Sequence, residues 1–204
     1  MPKRRRRNKP MSQQPEDHCL RIIGGRFRGH KLLYHGDRRT RPMKERVREA
    51  VFNLIGPSVV GKHAIDLFAG TGALGLEAIS RGAASATFVE QHFPTAALIE
   101  QNIAAIDAPA QCDVVPGNTF LWVRRPLQLP EVPWLVLCSP PYSFYVDRRD
   151  EMLQLLQEFY DRASAGSVIV VEADERFDFG LLPDAERWDV RGYPPAVIGI
   201  YRKD

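Results

Sequence analysis

With 204 residues, 44% of them hydrophobic, the chain is long enough to bury one substantial core and has the composition of an ordinary globular protein. No apolar run approaches membrane-spanning length and no apolar segment follows the basic N-terminus, so neither a transmembrane helix nor a secretory signal is expected. The formal charge of +3 hides an asymmetry: residues 1–10 carry six Lys or Arg, residues 21–50 carry ten against three acids, and residues 51–204 carry twelve against twenty. A basic front on an acidic body suits a polyanion such as nucleic acid, although a merely solvated tail would show the same charge run.

Residues 1–19 are basic, then polar, and aperiodic, which predicts a disordered tail whose Lys3 to Arg7 run is free to meet phosphates. Residues 20–34 alternate weakly around Gly24, Gly25 and Gly29, the pattern of a small strand pair with tight turns, and they carry Arg26, Arg28 and Lys31. Thr40-Arg41-Pro42 then opens a helix. Its inward face is Val47, Ala50, Val51, Leu54 and Ile55, while Arg41, Lys44, Arg46 and Arg48 fall mostly off that face. Gly56-Pro57 ends it.

Beyond this point strands near 63–68, 86–90, 112–115, 134–138 and 167–173 alternate with helices near 73–81, 94–106, 118–124 and 147–162. Such alternation means an α/β fold with a parallel sheet covered on both faces. The last two strand-like segments, Trp188–Arg191 and Val197–Tyr201, are separated only by Gly192-Tyr193-Pro194-Pro195, too short for a helix, so they form an antiparallel hairpin. The expected organisation is one domain over 20–204, made of a basic extension at 20–56 and a sheet at 57–204. Cys19, Cys112 and Cys138 are scattered without a C-x-x-C, and the five histidines lack ligand spacing, so neither a disulfide framework nor a metal is expected; the usage fits a reducing cytoplasm.

Two stretches carry chemistry. Ala64 to Phe68 reads as a buried strand that runs into Gly70-Thr71-Gly72-Ala73-Leu74-Gly75 and a helix, placing the turn at a strand's carboxyl end, where open α/β sheets bind ligands. The glycine spacing formally satisfies G-x-G-x-x-G, and Glu90 follows at the distance of a ribose-binding acid, so a nicotinamide or flavin site is compatible with this stretch alone. The second stretch is Ser139-Pro140-Pro141-Tyr142, after the apolar run Trp134 to Cys138. Two prolines stiffen the loop and remove two amide donors, leaving carbonyls, a hydroxyl and an aromatic ring that suit a planar ring bearing an exocyclic amine. A rigid strand-to-helix connection is the plainer reading.

Together the two stretches resemble an S-adenosylmethionine-dependent amino-methyltransferase. The blocks Arg21 to Leu32, Arg41 to Asn53 and Asp66 to Ala83 are similar, more specifically, to the bacterial small-subunit rRNA guanine-N2 methyltransferases of the RsmD type, a resemblance that runs from about Arg21 to Lys203. It implies a Rossmann-like methyltransferase fold, a mostly parallel seven-stranded sheet closed by an antiparallel hairpin, with a basic N-terminal extension. It implies S-adenosyl-L-methionine as cofactor, held by Asp66, Phe68, Gly70, Thr71, Gly72, Glu90 and Asn118; Glu90 as a plain surface acid and Asn118 as a plain helix cap are the alternatives. It implies catalysis by Ser139, Pro140, Pro141 and Tyr142, with the hydroxyl and the Pro140 carbonyl accepting the guanine amine and Tyr142 stacking on the base. Arg26, Arg28, Lys31, Arg41, Lys44, Arg46 and Arg48 become RNA contacts, and the partner is 16S rRNA or a small-subunit assembly intermediate, met by a cytoplasmic monomer. The chain departs from the family at Ser139, where Asp is usual, and at Met43, where Thr is usual. Ser-Pro-Pro-Tyr is also similar to some cytosine-N4 methyltransferases, so methylation of another base, cytosine N4 or adenine N6 in RNA or DNA, is the alternative chemistry. A non-catalytic RNA-binding or ribosome-assembly factor is the alternative class.

Overall fold

The computed structural model describes residues 20–34 and 42–204. The predicted tail, residues 1–19, and Arg41 lie outside the described residues. The elements follow in the order α1 (Glu45–Ile55), β1 (His63–Asp66), α2 (Ala73–Ser80), β2 (Ser85–Glu90), α3 (Phe93–Ala105), β3 (Cys112–Pro116), α4 (Thr119–Trp122), β4 (Trp134–Cys138), α5 (Phe144–Asp147), α6 (Arg149–Arg162), β5 (Val168–Asp174), β6 (Asp189–Tyr193) and β7 (Ala196–Arg202), with short 3-10 turns between some of them. These strands form one seven-stranded sheet in the order β3-β2-β1-β4-β5-β7-β6. β1 to β5 pair in parallel, whereas β7 runs antiparallel to both β5 and β6.

Strand periodicity divides the core into two layers, because successive side chains point to opposite faces. Ala64, Leu135, Leu137, Val168 and Val170 pack under α1, α2 and α3, with Ile22 and Leu32 of the N-terminal segment. Ile65, Leu67, Val136, Ile169 and Val171 pack on the other face against Phe120, Met152, Leu155, Leu156 and Phe159. Met152, Leu155, Leu156 and Phe159 recur at helical spacing and form the buried stripe of α6. α2 is buried at every one of its eight residues. It lies so close to the sheet that a Cβ at Gly75 would stand 2.3 Å from Cε1 of Phe88.

The N-terminal segment forms only a short version of the expected strand pair. Among the described residues its one bridge is Arg21 to Lys31, flanked by Ile22 N donating to the His30 carbonyl at 3.0 Å and Leu32 N to the Leu20 carbonyl at 2.8 Å, and α2 satisfies the backbone of the turn between them. Both oxygens of buried Glu77 accept backbone amides, from Ile23 and Gly24 at 2.8 Å each. Ser80 adds its carbonyl, which accepts Arg26 N at 2.8 Å, and its hydroxyl, which accepts Phe27 N at 3.0 Å and donates to the Gly24 carbonyl at 2.5 Å. Gly25 has φ +76°, and a Cβ there would lie 1.9 Å from the Ser80 carbonyl oxygen, so only glycine allows this approach. α1 also begins later than the sequence suggests. Lys44 is still extended at φ −55°, ψ 139°, while Pro42 and Met43 line a cavity at the carboxyl ends of the parallel strands.

The candidate active site

One cavity of about 660 Å³ opens at the carboxyl ends of β1, β2, β4 and β5. Phe68, Gly70, Thr71, Glu90, Asn118, Ser139, Pro140, Pro141 and Tyr142 all line it, so the two stretches, far apart in sequence, share a single wall. Parallel pairing of β1 with both β2 and β4 brings them there.

On one side of the cavity the glycine turn is held from below and from beside. Gly72 sits at φ 77° as the residue before α2, with its amide donating to the Ala69 carbonyl at 2.7 Å. Glu90 accepts Gly70 N and His92 N, each at 2.8 Å, and ties the glycine turn to the start of α3. Each carboxylate oxygen retains a second acceptor position for a ligand hydroxyl. Asn118 caps α4 as the plainer reading has it: its Oδ1 accepts Phe120 N at 3.0 Å and Leu121 N at 3.3 Å. It borders the cavity all the same. Phe68 meets Phe120 edge-on at 5.8 Å and Phe144 at 6.0 Å, forming an aromatic wall.

Asp66 and Gly72 are not in the cavity wall. Asp66 is 1% exposed and lies beneath the turn, where Oδ2 accepts Gly75 N at 3.0 Å. Its Oδ1 is buried with no hydrogen-bond partner among the described residues. Burial pushes its carboxyl up to about 7, opposed by the Gly75 amide and reinforced by the Glu90 charge. An orphaned buried carboxylate oxygen asks for a donor. A cationic ligand end above the turn, reaching it through water, meets that demand, and the acidic Glu90 in the wall fits a ligand with hydroxyls and positive charge.

On the other side of the cavity, β4 ends in the Ser139-Pro140-Pro141-Tyr142 loop and β5 supplies a group that sequence reasoning missed. Ser139 Oγ donates to Glu172 Oε2, and Tyr142 OH donates to Oε1 at 2.8 Å. The strand bearing Glu172 is itself anchored by Tyr145 OH, which donates to the Glu172 carbonyl at 3.0 Å. Glu172 is 6% exposed, yet it lines the cavity. Burial raises its carboxyl above the usual range, while the bonds from Ser139 and Tyr142 hold it back. The Pro141 and Tyr142 carbonyls accept Phe144 N at 2.9 Å and Tyr145 N at 3.2 Å, starting α5; the Pro140 carbonyl is not used in that turn. A sequence signal for Glu172 exists. Like Asp66 and Glu90, it is an acid at the carboxyl end of an apolar strand.

The basic residues separate. Arg26, Arg28, Lys31, Lys44 and Arg46 are exposed. Lys44 lines the cavity, and Arg46 donates to the Pro194 carbonyl at 3.0 Å, beside wall residues Tyr193 and Pro195. Arg26 stands elsewhere, bonded to Gln111 Oε1 at 2.9 Å. Arg48 is corrected: it is 0% exposed, with Nη2 donating to the Arg21 carbonyl at 2.6 Å and Nε 3.8 Å from Glu77, so it is a core cation rather than an RNA contact. The helical rotation places it on the inward face beside Val47 and Val51.

The family model described as conserved hypothetical protein 95 matches residues 20–189. The ribosomal RNA small subunit methyltransferase D of Escherichia coli K12 is 45% identical over 183 residues, 90% of this chain and 88% of that one. Among solved structures, the Escherichia coli protein YhhF matches with a TM-score of 0.74 at 28% identity, over 91% of this chain and 98% of that one. An RNA methyltransferase from Salinibacter ruber, solved with S-adenosyl-L-homocysteine, shares the fold at 16% identity with a TM-score of 0.57, over 79% of this chain and 92% of that one. The sheet order, the glycine turn above Asp66 and the similarity across nine-tenths of the sequence agree, and the chain belongs to the ribosomal RNA small subunit methyltransferase D family, with the fold of S-adenosylmethionine-dependent methyltransferases.

Proposed function

We propose that the chain methylates the exocyclic N2 amine of a guanine in small-subunit (16S) rRNA. The observation that carries this reading is the shared cavity, in which the glycine turn and Glu90 face the Ser139-Pro140-Pro141-Tyr142 loop. S-adenosyl-L-methionine, when bound, supplies a methyl group already activated on a sulfonium. Glu90 accepts its ribose hydroxyls, Gly70 and Thr71 let the backbone approach, Phe68 and Asn118 border its base, and Asp66 answers its amino end through water.

The remaining work belongs to positioning, since an activated electrophile leaves orientation as the main barrier. Guanine N2 is a poor nucleophile because its lone pair is delocalised into the ring. Ser139 Oγ and the Pro140 carbonyl accept its two N–H groups, which turns the nitrogen lone pair toward the cofactor side. Pro140 and Pro141 fix that geometry by stiffening the loop. Tyr142 offers its ring to the base while its hydroxyl is tied to Glu172. The base must leave any stack to enter, at least cost from a single-stranded or looped segment. Residues 20–56 serve as the RNA-binding extension, in which Lys44 and Arg46 meet phosphates at the cavity mouth and Arg26, Arg28 and Lys31 meet them farther out.

The test uses labelled S-adenosylmethionine with small-subunit rRNA, naked and assembled, from a strain lacking the modification, followed by nucleoside identification. N2-methylguanosine is the expected product. N4-methylcytidine or N6-methyladenosine would replace the guanine assignment, and RNA binding without any product would favour an assembly factor.

A further inference from the structure

The loop of this chain carries a neutral Ser139 in the cavity wall, and a neutral hydroxyl is a weak sink for the proton that methylation releases. A charged group nevertheless stands directly behind it. Glu172 reaches across from β5, accepts the Ser139 hydroxyl on one oxygen and the Tyr142 hydroxyl on the other, and borders the same cavity. Because the Ser139 proton points at Glu172, the lone pairs of Oγ are left to accept an N–H from a bound base. The arrangement is a carboxylate displaced from loop to strand, with a hydroxyl as the link.

We propose that Glu172 is the positioning residue and proton acceptor of the target site, acting through Ser139. This rests on the amino-methyltransferase reading of the cavity. As the amine lone pair forms the N–CH3 bond, the C–S bond breaks and its electrons leave with sulfur. The nitrogen, now carrying an excess proton, passes it to Ser139 Oγ while the Oγ proton passes to Glu172 Oε2. The product is a neutral methylamine and a neutral carboxylic acid, which returns its proton to water after product release. Tyr142 holds the second carboxylate oxygen and so keeps the first aimed at Ser139. A purely structural Glu172 would need only its shape and an acceptor; a relay needs an ionisable group.

Those two roles separate in the near-isosteric variant Glu172→Gln. Wild type, Glu172→Gln, Ser139→Ala and the double variant Ser139→Asp with Glu172→Gln are assayed for methyl transfer to rRNA across pH 5–9. Binding of S-adenosylhomocysteine and thermal melting are measured alongside. The expected result is a fall in kcat of about thirtyfold or more for Glu172→Gln, with KM for RNA and cofactor binding unchanged, and with loss of the acidic limb seen in wild type. Adding Ser139→Asp to Glu172→Gln restores kcat to within about fivefold of wild type, because a carboxylate on the loop accepts the proton directly. If Glu172→Gln fails to fold, Ser139→Ala carries the test and must show the same fall and flattened profile. Glu172→Gln within about threefold of wild type, or an unchanged acidic limb, overturns the relay while leaving the methyltransferase assignment standing. A wild type that methylates no nucleoside overturns both.

Discussion

His63 and Asp66 sit at opposite ends of β1 and respond to pH in opposite directions. The Asp66 carboxyl is raised to about 7 by burial, so between its ordinary value near 3.8 and about 7 the folded state holds a proton that the unfolded chain has lost. Its contribution to stability therefore falls as pH rises through that window. His63, bonded to Ser85 Oγ at 2.8 Å and Thr87 Oγ1 at 3.0 Å, is lowered by burial to about 4. Below about 6.5 the unfolded chain takes a proton that the folded His63 refuses, so its contribution falls as pH drops toward 4. The two slopes offset one another in the wild type. Asp66→Asn removes one of them, and denaturation of the ligand-free variant should then show stability rising steadily from pH 4 to about 6.5, more steeply than in wild type. The same variant should bind S-adenosylhomocysteine about tenfold more weakly by calorimetry, through loss of a charged hydrogen-bond acceptor. Unchanged binding would remove Asp66 from the cofactor site.

At the scale of elements, α2 is the hub, because it presents its N-terminus to the cavity and its C-terminal half to the N-terminal segment. Glu77 is the hinge pin of that second role: it accepts two backbone amides, sits 2.7 Å from Arg81 Nε and neighbours Arg48. Glu77→Ala leaves the Ile23 and Gly24 amides without their acceptor and the fully buried Arg48 guanidinium without its counter-charge, and should cost about 3–5 kcal/mol in urea denaturation. Loss of less than about 1 kcal/mol would mean that the segment docks by apolar contact alone. Ile22 and Leu32 are the apolar part of that docking, both buried in the core under α2. Asn102 of α3 adds a second fastening, since its Oδ1 accepts Leu33 N at 2.7 Å and its Nδ2 donates to the Leu33 carbonyl at 3.2 Å and the Thr71 carbonyl at 3.4 Å.

The β strands, the glycine turn and the closing hairpin were legible in the sequence because each is written in local periodicity or in a short run of Gly and Pro. The boundaries of β4 at Trp134 and Cys138 coincide with those read from the apolar run. What escaped is non-local. Arg48 is charged and falls within a basic stretch, so composition marks it as surface; only its placement beside Glu77 reveals a core role. Glu172 escaped because its partners, Ser139 and Tyr142, are 33 and 30 residues away in sequence. Gly24 and Gly25 read as a turn between two strands, and the structure has that turn but also uses their missing side chains to lie against Arg81 and Ser80.

For the molecule as a whole, Lys44 and Arg46 stand at the cavity mouth, Arg26 stands apart beside Gln111 and Arg48 is in the core, over a body with excess acid. Lys44→Ala and Arg46→Ala should each reduce the salt dependence of RNA binding by about 0.7 log units per log unit of salt, without altering folding stability by more than about 0.5 kcal/mol. Arg48→Ala should do the reverse, destabilising the fold and leaving the salt slope of the folded fraction unchanged. Filter binding across a salt series, paired with melting curves, separates the two behaviours.

The antiparallel strand β7 lies between β5 and β6, although it follows both in the chain. Until it is made, β6 has no partner, and β5 presents Val168 to Val171 as an unpaired apolar edge of the kind that joins other chains. Ala196 of β7 and Pro195 before it also complete the cavity wall. A nascent chain that has emerged only as far as β6 therefore holds both motif stretches and no finished site. The complete cavity wall arrives only with β7, and a chain stalled short of it keeps the edge of β5 unpaired.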